Sequence, residues 1–122
     1  MVLFGNVYFG TAQGGTNVSG TITSDTTWNQ ANSPYTLTGN TLVTNGITLT
    51  IEAGTTVNLG SYYIKVNGTL QAIGNNDNLI SLNYGQITFT EYSTNWTESA
   101  GTGCIIQNAN LNFYNDNEKL LT

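Results

Sequence analysis

The sequence predicts an all-β protein, a short parallel β-helix (β-solenoid) with an N-terminal cap and an apolar N-terminal arm strand. Apolar and polar residues alternate in short runs along the chain, and Asn-Gly, Ala-Gly and Leu-Gly turns separate these runs. No segment places apolar residues at the i, i+3, i+4 and i+7 positions of an amphipathic helix. Each predicted strand therefore has one buried face and one solvated face.

The alternation is cleanest in residues 47–51, where aliphatic side chains share one face and threonines the other. It recurs in residues 57–59, 64–66, 70–72, 80–82, 87–89 and 111–113. A β-sandwich would join such strands by hairpins, whereas a solenoid repeats strand and turn with a period of about 20 residues. Spacings close to that period separate Ile47 from Ile64, Ile64 from Ile87 and Phe89 from Ile106, so we expect these residues to stack in successive turns.

The chain divides into two predicted parts. Residues 1–17 are an apolar arm strand followed by a Gly-rich joint, and residues 18–122 are the β-helix domain. Residues 18–36 differ from the regular turns and are expected to cap the first turn, because solenoids need atypical ends. Residues 91–103 are expected to form a loop between turns, where solenoids accept insertions.

Five segments carry a resemblance to a known architecture: VSGTITSDTTW (residues 18–28), SPY (33–35), GITLTIEAGTTV (46–57), VNGTL (66–70) and GCIIQNA (103–109). Together they resemble the opening of right-handed parallel β-helix repeat proteins of archaeal and bacterial cell surfaces, over roughly residues 18–113. The resemblance implies an extracellular, cell-surface protein with a right-handed coil, and that family includes surface-layer, adhesive and sugar-handling proteins. Its members usually have many more turns, so a short array would leave strand edges open.

Composition limits the partners. Only 7% of the 122 residues are charged, and the net charge is −5, which disfavours binding to nucleic acid or to anionic lipid. No run approaches the roughly 20 apolar residues of a transmembrane helix, so membrane insertion is not expected. Asn17, Asn67 and Asn95 stand in N-x-S/T sequences, which fit an exported glycoprotein.

The inventory of reactive groups argues against an enzyme. There is no histidine, so Ser-His and Cys-His nucleophile pairs are excluded, and we expect no catalytic residue, cofactor or metal site. The seven carboxylates do not pair at i, i+2 within a strand, and Glu52 is expected to accept hydrogen bonds from backbone N–H groups of its turn. Residues 74–78 are expected to be a polar turn rather than a calcium loop. Cys104, the only cysteine, is expected to be a small buried hydrophobic residue, and an intermolecular disulfide or a reactive thiol is the alternative.

Two binding surfaces are alternatives to a purely structural role. Tyr62, Tyr63, Tyr92 and Trp96 would form a sugar-stacking surface, although packing in the core and the cap is the favoured interpretation of these aromatic residues. Adjacent in sequence, Tyr62 and Tyr63 should point to opposite faces of their strand. Thr-x-Thr pairs resemble those of β-helical ice-binding proteins; they lie at Thr21/Thr23, Thr36/Thr38, Thr48/Thr50 and Thr88/Thr90.

The N-terminal arm is the strongest indication of self-association. Its apolar residues are Val2, Leu3, Phe4, Val7, Tyr8 and Phe9. Such a strand either folds back onto its own solenoid or adds to the sheet of a neighbour by β-augmentation. We expect the second, which makes the chain a homo-oligomer or polymer. Head-to-tail exchange of arms would give a filament, sheath or surface array.

Overall fold

The structure is a computed structural model and describes residues 15–113. Over these residues the protein is an all-β parallel β-solenoid, which confirms the predicted fold class. The predicted arm residues, from Val2 to Phe9, lie outside the described residues, as do residues 114–122.

Nine strands and one short 3₁₀ helix (Gln30–Asn32) make up the described chain. The strands are β1 (Thr16–Ile22), β2 (Thr26–Trp28), β3 (Tyr35–Val43), β4 (Thr48–Ile51), β5 (Thr56–Val66), β6 (Thr69–Ile73), β7 (Ile80–Phe89), β8 (Ile105–Gln107) and β9 (Ala109–Asn112).

All strand pairs are parallel, and they form two sheets. The first sheet has the order β1-β3-β5-β7-β9, and the second has β2-β4-β6-β8. Each turn thus contributes one strand of the first sheet and then one strand of the second. This alternation is the topology of a solenoid, in which every turn contacts the turn before it and the turn after it.

The strands β1, β3, β5 and β7 of the first sheet each bend near their middle, where the pairing register shifts. Three of these bends contain a glycine in the left-handed region, at Gly20 (φ 86°), Gly60 (φ 66°) and Gly85 (φ 66°), a conformation that costs glycine little. We call the part before the bend the leading half and the part after it the trailing half. The trailing halves comprise residues 20–22, 41–43, 64–66 and 87–89.

The core consists of columns of inward side chains. In the trailing halves the column is Ile22, Val43, Val66 and Phe89, and in the leading halves Val57 lies under Leu82 and Leu82 under Leu111. In the second sheet Leu49 lies under Leu70. The members from the middle turns are completely buried. Inward alternation of aliphatic residues, visible in the sequence, is therefore what fills the interior.

The predicted stacking order was partly wrong. Ile64 does pair with Ile87, as the spacing predicted. Ile47, however, precedes β4 of the second sheet, whose Leu49 pairs with Leu70, and Ile106 pairs with Ala72 rather than following Phe89. One full turn contains three paired stretches, namely a leading half, a trailing half and a strand of the second sheet. Two residues that are separated by less than a full turn therefore lie on different faces of the solenoid.

The cap predicted at residues 18–36 is not confirmed. Residues 18–28 include most of β1 and all of β2, which pair in parallel with β3 and β4 as the first turn of the stack. Trp28 stacks on Tyr35 with ring centroids 5.0 Å apart, and the Tyr35 hydroxyl accepts a hydrogen bond from the Asn29 N–H (3.0 Å). The loop predicted at residues 91–103 is confirmed, since it lies between β7 and β8.

Truncation of a mid-column leucine should destabilise the solenoid far more than truncation of a leucine on a turn. Leu70 is fully buried, whereas Leu79 is 39% exposed. Leu70→Ala should lower the free energy of unfolding by about 2 to 5 kcal/mol, because it leaves a cavity in the core. Leu79→Ala should lower it by less than about 1 kcal/mol. Urea denaturation followed by circular dichroism measures both, and equal losses would contradict the column assignment.

Candidate functional site

The two ends of the described solenoid are its most distinctive surfaces. Within residues 15–113, β1 and β2 at the N-terminal end pair on one side only, and β8 and β9 at the C-terminal end do the same. The outer edge of such a strand presents backbone N–H and C=O groups that another strand can pair with.

The interior columns are less covered at these ends. Val43 and Val66 are fully buried, whereas Ile22 below them and Phe89 above them are half-buried. In the leading halves Leu82 is fully buried and Leu111, one layer higher, is half-buried. The apolar interior therefore extends to both ends of the described solenoid.

The end strands carry no charged residue. Their sequences are TNVSGTI for β1, TTW for β2, IIQ for β8 and ANLN for β9. Natural proteins commonly protect an exposed edge with lysine, proline or an inward charge, because an unprotected edge pairs with other chains. The side chains of these four strands provide none of those three protections.

A ladder of asparagine side chains runs up the outer face of the first sheet. Asn83 Nδ2 donates to Asn58 Oδ1 (2.9 Å), and Asn112 Nδ2 donates to Asn83 Oδ1 (2.9 Å). The backbone register places Thr36 and then Asn17 below Asn58 in the same column. Among the described residues no donor reaches Asn112 Oδ1, so the ladder ends in an acceptor. Such amide ladders are a feature of stacked in-register strands.

The predicted aromatic surface is divided between two places. Tyr62 is half-buried against the core and Tyr63 is 39% exposed, so the two rings point to opposite faces as the alternation predicted. Both line a shallow depression of about 330 Å³ beside the bend glycines Gly60 and Gly85.

The other two aromatic residues lie in the loop between β7 and β8. Trp96 is 37% exposed and lines a separate depression of about 370 Å³, while Tyr92 is 62% exposed and lines neither depression. The Trp96 indole N–H donates to Glu98 Oε1 (3.2 Å). A Cβ at Gly103 would clash with the backbone of Asn95 and Trp96, so the two limbs of the loop touch at its base.

The three N-glycosylation sequences differ in accessibility. Asn17 on β1 and Asn95 in the loop are exposed. Asn67 is half-buried, and its Oδ1 accepts a short hydrogen bond from the Thr90 hydroxyl (2.6 Å). Asn17 and Asn95 are therefore the better placed of the three for modification.

The Thr-x-Thr pairs do not share one face. Thr21 and Thr88 lie in trailing halves, Thr36 in a leading half, and Thr48 and Thr50 in the second sheet. A flat threonine surface for ice would need such pairs in one column of one sheet. Ice binding stays a prediction without that support.

The described acidic residues are dispersed and exposed; they are Asp25, Glu52, Asp77, Glu91 and Glu98. The Glu52 prediction was wrong, because its backbone carbonyl, not its carboxylate, accepts from the Thr55 N–H (3.2 Å). Asp25 has such a role instead, accepting from the Thr48 N–H (2.9 Å). Asn75 Oδ1 accepts from the Asp77 and Asn78 N–H groups, which confirms a polar turn there.

Cys104 is half-buried rather than fully buried, and its thiol is free. Its sulfur accepts from the Leu70 N–H (3.4 Å) and donates to the Gly68 carbonyl (3.6 Å). No group of three His, Cys, Asp or Glu residues that could hold a metal occurs in the part of the chain that the structure describes. Likewise, between residues 15 and 113 no helix is long and apolar enough to cross a membrane.

Comparison with known protein families, with curated proteins and with solved structures finds no match.

The asparagine ladder should contribute measurably to stability. Asn83→Asp keeps the shape of the side chain but replaces the donor to Asn58 by a carboxylate oxygen, so it should cost about 1 kcal/mol at neutral pH. The new carboxylate oxygen would face Asn58 Oδ1, which is also an acceptor, and this repulsion raises the pKa of the new carboxyl in the folded state. The loss should therefore shrink as the pH falls and the protonated group donates again. Urea denaturation at several pH values, relative to the native protein, measures it.

Asn76→Asp is the matched control, because Asn76 is exposed on a turn away from the ladder. If both substitutions show the same cost and the same pH dependence, the ladder has no special role in stability.

Proposed function

We propose that this chain is a non-catalytic, extracellular structural protein that assembles with copies of itself into a filament, sheath or surface array. Pairing of strand edges at the ends of the solenoid and exchange of the N-terminal arm join the subunits. The observation that carries the proposal is the pair of uncharged, apolar ends, at which columns that are fully buried in the middle turns become half-buried.

A second copy supplies what each end lacks. Stacking would pair the outer edges of the end strands and would cover several half-buried apolar side chains, including Val18 and Ile22 at one end and Phe89, Ile106 and Leu111 at the other. Completing the burial of each contributes roughly 1 kcal/mol. Association itself costs about 4 to 15 kcal/mol, so these contacts and the edge hydrogen bonds have to act together.

The arm would strengthen this contact. It enters the described solenoid at Gly15 and continues directly into β1, so it starts at the N-terminal end. Its apolar residues (Val2, Leu3, Phe4, Val7, Tyr8 and Phe9) suit a strand added to a neighbour's sheet. Because each copy would give one arm and receive one, the contact is heterologous and continues into an open polymer when it does not close into a ring.

The extracellular location is supported by Asn17 and Asn95, which are exposed within glycosylation sequences. Self-assembly is supported by a surface that is rich in amides and hydroxyls and has few charges, which leaves little electrostatic repulsion to oppose close stacking of copies.

Assembly should depend on protein concentration and on the ends. Sedimentation velocity should show larger species as concentration rises, and negative-stain microscopy should show linear or sheet-like assemblies. Leu111→Lys should weaken assembly at least a hundredfold, because the ammonium reaches water in the monomer but would be buried unpaired in a stack. Leu79→Lys, the same change on an exposed turn, should leave assembly unaltered.

A native protein that stays monomeric at high concentration would refute the proposal. So would equal effects of the two lysine substitutions in variants that circular dichroism shows to be folded.

A second candidate function is carbohydrate binding at the loop, favoured by the exposure of Tyr92 and of Trp96, which lines the 370 Å³ depression. Aromatic rings in shallow depressions stack on the apolar faces of sugars. On a glycan array, Trp96→Ala should abolish sugar signals that Tyr63→Ala, in the other depression, retains. The absence of any sugar signal, or its survival in Trp96→Ala, would exclude the loop as the binding site.

A further inference from the structure

The C-terminal end of the described solenoid is a step rather than a flat surface. β9 adds a fifth layer above the leading halves of the long strands. The trailing halves end one layer lower, at residues 87–89, and so does the second sheet, at β8. The step therefore lacks one trailing half and one strand of the second sheet.

The base of the step is apolar and open. The 370 Å³ depression lies there, lined by Phe89, Cys104, Ile105 and Ile106, with loop residues 93–96 as its wall. Phe89 ends the column that contains Val66, and Ile106 ends the column that contains Ala72. An occupant that continues these columns has to be a strand with apolar inward side chains.

The arm holds two such runs in the required order. Residues 2–4 and 7–9 are apolar, and the turn-forming pair Gly5-Asn6 separates them. Phe4 precedes Val7 by three residues, one fewer than separate Val66 from Leu70, so this corner would be one residue shorter than the corner between the trailing half 64–66 and β6. Phe9 precedes Thr16 by seven residues, as Trp28 precedes Tyr35, and Thr16 pairs with Tyr35. The arm thus matches a trailing half followed by a strand of the second sheet in residue type, and its second run has the required spacing to β1.

We propose that the arm of one copy fills the step at the C-terminal end of the next, with residues 2–4 on the trailing half 87–89 and residues 7–9 on β8. The inference deepens the proposed self-assembly and rests on it. By the spacing to Thr16, Phe9 takes the position above Ile106 and Tyr8 the position above Ile105. Val7, two residues before Phe9, then lies directly above Cys104, which is two residues before Ile106. Leu70 lies under Cys104 in the same column, because Gln71 pairs with Ile105.

The asparagine ladder fits the same junction. With the arm in the step, β1 of the arm-bearing copy lies on β9 of its neighbour, one layer above it. The register of the first sheet then places Asn17 over Asn112. Asn112 Oδ1 is the acceptor at the end of the ladder, and the exposed Asn17 amide is a donor. The ladder would continue from copy to copy in one direction, which requires head-to-tail contact.

The chain's own residues 114–122 are the competing occupant, because they follow Phe113 directly. Their sequence, YNDNEKLLT, includes the charged residues Asp116, Glu118 and Lys119 and lacks two apolar runs of the required spacing. Buried inward columns exclude unpaired charges. The arm is therefore the better match to the step.

A disulfide tests the register. A cysteine introduced by Val7→Cys would lie one layer, about 5 Å, from Cys104 of the neighbour, within the span of a disulfide. Had the arm folded beneath its own first turn, the same cysteine would lie four layers, about 19 Å, from its own Cys104. Tyr8→Cys is the matched control, because its side chain would point outward, beside Ile105. Assembled protein is oxidised with diamide and separated by non-reducing electrophoresis.

We expect Val7→Cys to give a ladder of covalent dimers, trimers and longer species, with at least tenfold more cross-linked chain than Tyr8→Cys or the native protein. Native chains can only form Cys104–Cys104 dimers. If native protein assembles in sedimentation but Val7→Cys gives no ladder, or no more than Tyr8→Cys, this arm placement is wrong and the proposed function survives. If the native protein does not assemble, both are wrong.

Discussion

In-register parallel stacking is the constraint on which the rest of this structure depends. Each turn places like residues above like residues, and several inward columns that are fully buried in the middle turns are only half-buried at the end turns. Val66, between Val43 and Phe89, shows the satisfied case, and the half-buried Phe89 shows the unsatisfied one. The same rule creates a stable interior and two ends that favour a further layer, which links the fold to the proposed assembly.

The strands and their faces could be predicted from the sequence, because alternation with a period of two is local. Residues 64–66 and 87–89 were recognised and correctly paired. The stacking of Ile47 and Ile106 was not, since the length of a turn depends on bends and corners that hold different numbers of residues. The asparagine ladder was missed as well, although Asn58, Asn83 and Asn112 each follow an inward aliphatic residue at the corresponding place in a leading half.

The candidate site was harder to predict because it arises from the ends of the stack rather than from a motif. The four aromatic residues were grouped by type, yet Tyr62 and Tyr63 lie beside a bend and Trp96 lies in a loop.

Two proposed roles of Asn17, as a glycosylation site and as a donor at the junction between copies, compete for the same side chain. A glycan on its Nδ2 would occupy the edge where β1 would meet a neighbour, so modification and head-to-tail stacking exclude one another at this residue.

X-ray fibre diffraction from aligned assemblies of the native protein tests the central claim most directly. If copies stack end to end with the solenoid axis along the fibre, the spacing of about 4.8 Å between strands has to appear as a reflection along the fibre axis. Ordered fibres in which that reflection lies perpendicular to the axis, or is missing, would mean that the ends of the solenoid do not join the subunits.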